Sequence, residues 1–233
     1  MTDAGSAATL DTTDYALFRS NMIEQQIRPW DVLDPRVLDV LGGLWRHHFV
    51  APDQQRLAYA DMELPLGHGE HMLAPKVEGR LLQALAPQAN ETVLEIGTGS
   101  GYLTACLALL AAQVDSVDNV AEFKHRARGQ LTALGLLDRV ELRTGDAAHG
   151  WDHQRSQYDV IVVSGSLPKL EMAQPFEQLL AVGGRMFAVI GTAPAMHAML
   201  ITRSGEQAFN RTGLFETVLD PLRGLHAPAV FRL

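Results

Sequence analysis

One segment constrains this chain more than any other: Val93-Leu94-Glu95-Ile96-Gly97-Thr98-Gly99-Ser100-Gly101-Tyr102. A short apolar run leads into three glycines at alternate positions, and a second apolar run follows. Glycine reaches positive φ at no steric cost and lets a ligand or another backbone come close. A strand, a glycine turn and a helix in that order build a crevice at the carboxyl end of a parallel strand, where sheets of this kind bind their ligands. The pattern is E-x-G-x-G-x-G. A dinucleotide fingerprint would require glycine where Tyr102 stands and would not require the acid two residues before the first glycine.

Around this segment the chain alternates strand-like apolar runs with amphipathic stretches, the pattern of a parallel sheet covered by helices. Strands are expected at 92–96, 114–117, 140–143, 160–163 and 186–190, five βα units in series. Two more, at 198–202 and 229–233, are expected to close the sheet as a hairpin. Asn119 and Glu122 have the spacing of a capping box for a helix that Gly135 terminates. The fold class is therefore α/β, a doubly wound, mostly parallel sheet.

Ahead of it, apolar spacing from Tyr15 to Ile27 predicts a helix capped by Asp14 and stopped by Pro29, and Asp34-Pro35 opens another that Gly42-Gly43 ends. Residues 50–72 have no sustained period and are expected to form a long connection over the next unit. A further helix is expected from Pro75 to Leu85. The expected organisation is a disordered tail at 1–12, N-terminal helices and a connecting loop at 13–74, and a ligand-binding domain at 75–233, the last two forming one compact unit.

The 233 residues carry a formal charge of −8, a field that repels polyanions and argues against a nucleic-acid partner. The basic stretch Lys124 to Arg128 reads as a solvated helix face. With one cysteine, Cys106, no internal disulfide forms, and the histidines at 47, 48, 68 and 71 lack metal-site spacing, so no metal is expected. The N-terminus has no signal-peptide pattern and no apolar run reaches membrane-spanning length, so a cytoplasmic protein without a membrane partner is expected.

The E-x-G-x-G-x-G pattern resembles the first motif of S-adenosylmethionine (SAM)-dependent methyltransferases, which implies a Rossmann-like fold and SAM as cofactor. The resemblance places the amino-acid portion of SAM on Gly97, Thr98, Gly99, Ser100 and Gly101, with Glu95 contacting its amino group directly or through water. Asp118, about twenty residues on and at the end of the second strand, is positioned to accept the ribose hydroxyls, as an acid does in dinucleotide sites; Asn119 stands beside it. Gly145-Asp146-Ala147 after the third strand resembles the pair that sets an aspartate near the adenine amino group.

A closer resemblance rests on an ordered set: 94–102, Gly145-Asp146 with Gly150-Trp151, Tyr158 to Val163, Gln178-Leu179 before Gly183-Gly184, and in the N-terminal part Met22 to Ile27 and Asp34 to Leu38. This set is similar to that of the protein-L-isoaspartate O-methyltransferase family. It implies transfer of the SAM methyl group to the carboxylate of an isoaspartyl residue in a damaged protein or peptide. Such a carboxylate is ionised at neutral pH and needs positioning rather than a base. The chain departs from the family at two places. Leu73 in Met72-Leu73-Ala74-Pro75 occupies the position of a serine that holds the acceptor, and Ser164-Gly165-Ser166 replaces Thr-Ala-Ala. His71, Lys76, Ser164 and Ser166 are the candidates for a substitute donor, and the acceptor-site positions are Leu73, His71 and Ser164. A small-molecule acceptor, or SAM binding without turnover, are the alternatives that Leu73 leaves open.

Overall fold

The computed structural model describes residues 12–151 and 155–225. Most of the expected tail at 1–12, and the strand expected at 229–233, lie outside the described residues. Helix α1 (Thr12–Met22) begins ahead of Asp14, which therefore lies inside the helix instead of capping it. It runs into a π-helical turn (Ile23–Ile27) and a 3₁₀ turn (Arg28–Trp30), and Asp31 reverses the chain with φ 58°. Helix α2 (Pro35–Gly43) is capped as its sequence predicts, the Asp34 carboxylate accepting from the Arg36 amide at 2.9 Å.

The connection at 50–72 holds more structure than its missing period suggests. A 3₁₀ turn (Pro52–Leu57) precedes a two-stranded hairpin, β1 (Leu64–Gly67) and β2 (Glu70–Met72). Its tip, Gly67-His68-Gly69, has positive φ throughout, and Leu64, Leu66 and Met72 turn inward. The hairpin falls below the length at which periodicity is visible. Helix α3 (Pro75–Leu85) follows.

The main sheet contains β3 (Thr92–Ile96), β4 (Gln113–Asp118), β5 (Val140–Thr144), β6 (Tyr158–Leu167), β7 (Leu180–Thr192), β8 (Ala195–Arg203) and β9 (Phe209–Glu216), in the order β5-β4-β3-β6-β7-β8-β9. The first five positions in that order pair in parallel, and β8 and β9 add an antiparallel hairpin. The partner of the strand expected at 198–202 is thus β9. Alternate residues feed two cores: Val93, Val160, Val162 and Phe187 face one side, and Leu94, Ile161, Val163 and Met186 the other.

Helices α4 (Tyr102–Leu110) and α5 (Ala121–Ala133) follow β3 and β4 and contribute to the first core, together with α2 and α3. Helix α4 is apolar almost all round because nearly all of it is buried; only Leu109 reaches solvent. The expectation of five helix-bearing units needs correction. No helix follows β5 among the described residues; α6 (Gln174–Glu177), after β6, has four residues, and β7 turns directly into β8. The second face is covered by Trp151 in irregular chain, Phe176 of the short α6 and Leu180 at the start of β7.

The capping expectation at α5 also changes. Its N-cap is Val120, without a side-chain cap, and the Val120 amide donates to Asp118 Oδ1 at 2.9 Å. The far end is as predicted: Gly135, at φ 68°, donates to Thr132 O and Leu136 to Leu131 O, the two bonds of a Schellman closure.

The N-terminal part is locked to the sheet domain by a buried ion pair. Arg46, with no exposed surface, binds Glu78 of α3, donates from Nη2 to Leu73 O at 2.5 Å, and lies 4.7 Å over the Tyr102 ring of α4. Burial pushes the Glu78 carboxyl up to about 7, against the pull of Arg46. Residues 219–222 cross the end of β6 as a strap. Ser166 N donates to Asp220 O and Leu222 N to Ser166 O, both at 2.8 Å. Ser166 Oγ donates to Leu219 O at 3.1 Å. Gly165 permits this approach, since a Cβ there would stand 2.8 Å from the Leu222 backbone.

Two outcomes follow. Glu78→Gln leaves Arg46 buried without a counter-charge and is expected to cost about 3–5 kcal/mol in urea unfolding, whereas joint replacement of both residues by apolar ones costs less. Equal losses would show that the pair is not coupled. Gly165→Ala is expected to unseat the strap, read as faster hydrogen exchange at the Leu222 amide with the exchange of β3 and β4 unchanged.

Candidate functional site

The sheet reverses its winding between β3 and β6, and a cleft opens there at the carboxyl ends of the strands, enclosing about 750 Å³ including its mouth. Its floor is the glycine turn. Gly97 has φ 99° and Gly99 φ 50°; the Gly97 amide donates to Val117 O at 2.8 Å, and the Gly99 amide to Asp118 Oδ2 at 2.9 Å. Both oxygens of Asp118 therefore hold backbone, Gly99 on one side and Val120 on the other. Burial holds its carboxyl above the ordinary aspartate range, although both amides pull it down.

The structure brings Gly97, Gly99, Asp118, Asn119, Gly145, Asp146 and Ala147 to the cleft surface. The other expected cofactor residues lie behind it and shape the turn. Gly101, at φ 82°, touches α5, where an added Cβ would meet that of Ala127 at 2.7 Å. Thr98 Oγ1 and Ser116 Oγ share a hydrogen bond of 2.6 Å, and Ser100 Oγ accepts from the Tyr102 amide at 3.2 Å. Glu95 is fully buried; its Oε2 accepts from Thr104 Oγ1 at 2.5 Å and from Ser116 Oγ at 2.6 Å, while Oε1 has no hydrogen-bond partner. Burial raises this carboxyl to about 8. Asp146 Oδ1 accepts from the Ala148 amide at 2.9 Å.

Of the acceptor-site positions, Leu73, His71 and Ser164 all line the cleft. Leu73 is buried, with its carbonyl held by Arg46. Ser164 Oγ is buried without a hydrogen-bond partner, and a Cβ on Gly97 would stand 3.1 Å from Ser164 Cβ. His71 Nδ1 lies 2.7 Å from Asp220 Oδ2. The other two candidate donors are committed elsewhere. Lys76 Nζ donates to Asp61 at 2.8 Å, over the Trp30 ring, and Ser166 holds the strap.

Several lining residues escaped the sequence reading: Glu63, Leu66 and Glu70 around the hairpin, Phe123 on α5, and the strap residues Leu219, Asp220, Pro221, Leu222 and Arg223. Phe123 was readable as the apolar residue one turn beyond Asp118. The strap has no local signal, because its position depends on pairing with Ser166. Hairpin and strap meet across the mouth, where Arg223 binds Glu70 Oε1 at 2.9 Å and also the His68 carbonyl. His68 in turn reaches Glu122 of α5 at 2.9 Å.

Among the described residues no cluster of metal-ligating side chains occurs, and no helix is long and apolar enough to cross a membrane.

The family model described as protein-L-isoaspartate(D-aspartate) O-methyltransferase matches residues 18–224. The protein-L-isoaspartate O-methyltransferase of Koribacter versatilis is 37% identical over 218 residues, 94% of this chain and 96% of that protein. That of Aeropyrum pernix is 36% identical over 219 residues, 93% of this chain and 83% of its own. In fold, the chain is similar to the crystal structure of a protein-L-isoaspartate O-methyltransferase from Plasmodium falciparum in complex with S-adenosyl-L-homocysteine. The TM-score is 0.72 at 18% identity, with 90% of this chain and 98% of that one covered. From the matched span and these relatives together, the chain belongs to the protein-L-isoaspartate(D-aspartate) O-methyltransferase family and is a SAM-dependent carboxyl O-methyltransferase.

Proposed function

We propose that methyl transfer takes place in the cleft between β3 and β6, with SAM on the glycine turn and an isoaspartyl carboxylate between Leu73 and Ser164. The observation that carries this reading is the unpartnered, buried Ser164 hydroxyl beside Gly97. A buried donor without a partner costs stability unless something binds it, and this one lies where the cofactor turn and the acceptor wall meet. The residues also fit the cofactor. Positive-φ glycines leave the floor without side chains, Phe123, Ala147 and Ala148 supply apolar surface, and Asp118 supplies a carboxylate beside the floor.

When bound, SAM would supply a sulfonium methyl open to in-line attack by an acceptor oxygen, the new O–C bond forming as the C–S pair leaves with the thioether sulfur, with no proton transferred. The protein's task is thus to position and partly desolvate. In this reading Gly97 and Gly99 carry the amino-acid portion, Asp118 accepts the ribose hydroxyls on lone pairs its backbone bonds leave free, and Asp146 and Ala147 border the base. Ser164 donates to the acceptor carboxylate, while Leu73 walls the site without contributing a hydrogen bond. Leu73 and Leu219 also favour a second reading, a small apolar carboxylate as acceptor.

Radiolabel transfer from SAM to an isoaspartyl peptide tests the assignment. Ser164→Ala is expected to lower kcat/KM roughly tenfold or more, and Leu73→Ser to raise it by about fivefold, the worth of one hydrogen bond. Transfer to small carboxylates but not to the peptide would decide for the second reading.

Glu95 generates a separate expectation. Its carboxyl keeps a proton to about pH 8 in the fold, whereas an unfolded glutamate loses it near pH 4.3. The native state therefore binds more protons over this range, so stability falls as pH rises across it. A cationic ammonium or sulfonium brought close favours the ionised form, so SAM binding at pH 7 should release protons. Calorimetry in buffers of different ionisation enthalpy measures this; Glu95→Gln should abolish it, and a buffer-independent enthalpy for the unmutated protein would refute it.

A further inference from the structure

The acceptor carboxylate needs more than a single hydroxyl. Among the described residues, four side chains on the cleft surface can donate a hydrogen bond: His71, Asn119, Ser164 and Arg223. Arg223 is committed to Glu70 and to the His68 carbonyl. Asn119 follows Asp118 on the side assigned to the ribose. His71 and Ser164 remain, and of these only histidine can carry a positive charge.

His71 is exposed at the cleft mouth and is held on one side by Asp220, also exposed. Asp220 is fixed through its backbone, its carbonyl accepting from the Ser166 amide at 2.8 Å, and its carboxylate reaches His71 Nδ1 at 2.7 Å. A carboxylate on Nδ1 sets the ring orientation, and in the imidazolium Nε2–H is then the free donor. His71 is two residues from Leu73, in the middle of β2, on the wall assigned to the acceptor.

We propose that His71, oriented by Asp220, is the cationic ligand of the acceptor carboxylate, compensating for the leucine at position 73. This deepens the assignment of the cleft to isoaspartyl methylation and rests on it. His71 then touches substrate and Asp220 is a positioning residue. The charged groups around the imidazole are Asp220 on the strap, Glu63 ahead of β1, Glu70 on its own strand with Arg223 bound to it, and Asp118 across the floor. Burial and the Asp220 carboxylate hold Glu63 above the ordinary glutamate range. Carboxylates outnumber cations here, so an anionic acceptor gains from an imidazolium and loses when the ring is neutral. The KM for an isoaspartyl peptide should accordingly rise with pH across the range in which histidines titrate, about pH 5–8, while SAM affinity does not follow it.

The test compares wild type, His71→Gln and Asp220→Asn in isoaspartyl-peptide methylation from pH 5.5 to 8.5. SAM binding by calorimetry and binding of the peptide to the S-adenosylhomocysteine-loaded protein are measured in parallel. His71→Gln should raise KM and the peptide Kd at pH 6 by roughly 10- to 100-fold, the range of a charge-assisted hydrogen bond, and should flatten the pH dependence. Asp220→Asn should raise the peptide KM at pH 6 with kcat within about twofold, and leave the SAM Kd within about twofold. A role confined to clasping hairpin and strap would instead weaken SAM binding in both variants and leave the pH dependence in place, overturning the proposal. An unchanged KM in His71→Gln overturns it alone, with isoaspartyl methylation intact. No methylation of the peptide by wild type at any pH, with SAM bound, overturns it together with the assignment beneath it.

Discussion

A single carboxylate, Asp118, organises the centre of this protein. It ends β4, accepts from the Gly99 amide in the turn after β3, and accepts from the Val120 amide at the entrance to α5. Two strands and a helix are thereby joined at the point where the sheet reverses its winding. Gly101 completes the arrangement: an added Cβ would stand 2.7 Å from that of Ala127, so α5 can pack this close only against glycine. The cleft exists because these contacts hold the turn open without side chains above it.

The mouth of the cleft depends on different physics. Its floor is set by neighbours in the sheet, but its rim joins a hairpin near residue 70 to a strap near residue 220, brought together by exposed ion pairs and by the backbone bonds of Ser166. Exposed pairs contribute little each. The firm anchor of the strap is therefore the close backbone approach that Gly165 allows. This gives the segment Ser164-Gly165-Ser166 three separate tasks: a free hydroxyl toward the cleft, room for the strap, and the bonds that hold it.

Charge links the two. Glu63, Glu70, Asp118, Asp146 and Asp220 face the cleft against Arg223 and His71. Such a balance suits a cationic methyl donor and makes an anionic acceptor depend on whatever local donors remain. Leu73 removes one of those donors, which is why Ser164 and His71 carry the weight of the acceptor assignment.

The strands, the glycine turn, Asp118 and the α5 closure at Gly135 could be read from the sequence, since each follows from local rules: alternation across a sheet, positive φ at glycine, and a carboxylate at a strand end. The 64–72 hairpin was missed for its brevity, and β9 because its own run carries no apolar alternation, as its mostly exposed residues show. Sequence likewise marked Leu73 as a departure and His71 and Ser164 as nearby polar residues. It could not say that Glu95 is sealed beneath the turn, that Lys76 and Ser166 are committed elsewhere, or that Asp220 stands against His71. Those facts come from contacts between residues up to about 150 positions apart, which depend on how the sheet pairs and where the strap docks. Local chemistry determined the glycine turn, and only long-range packing decided what surrounds Leu73, His71 and Ser164.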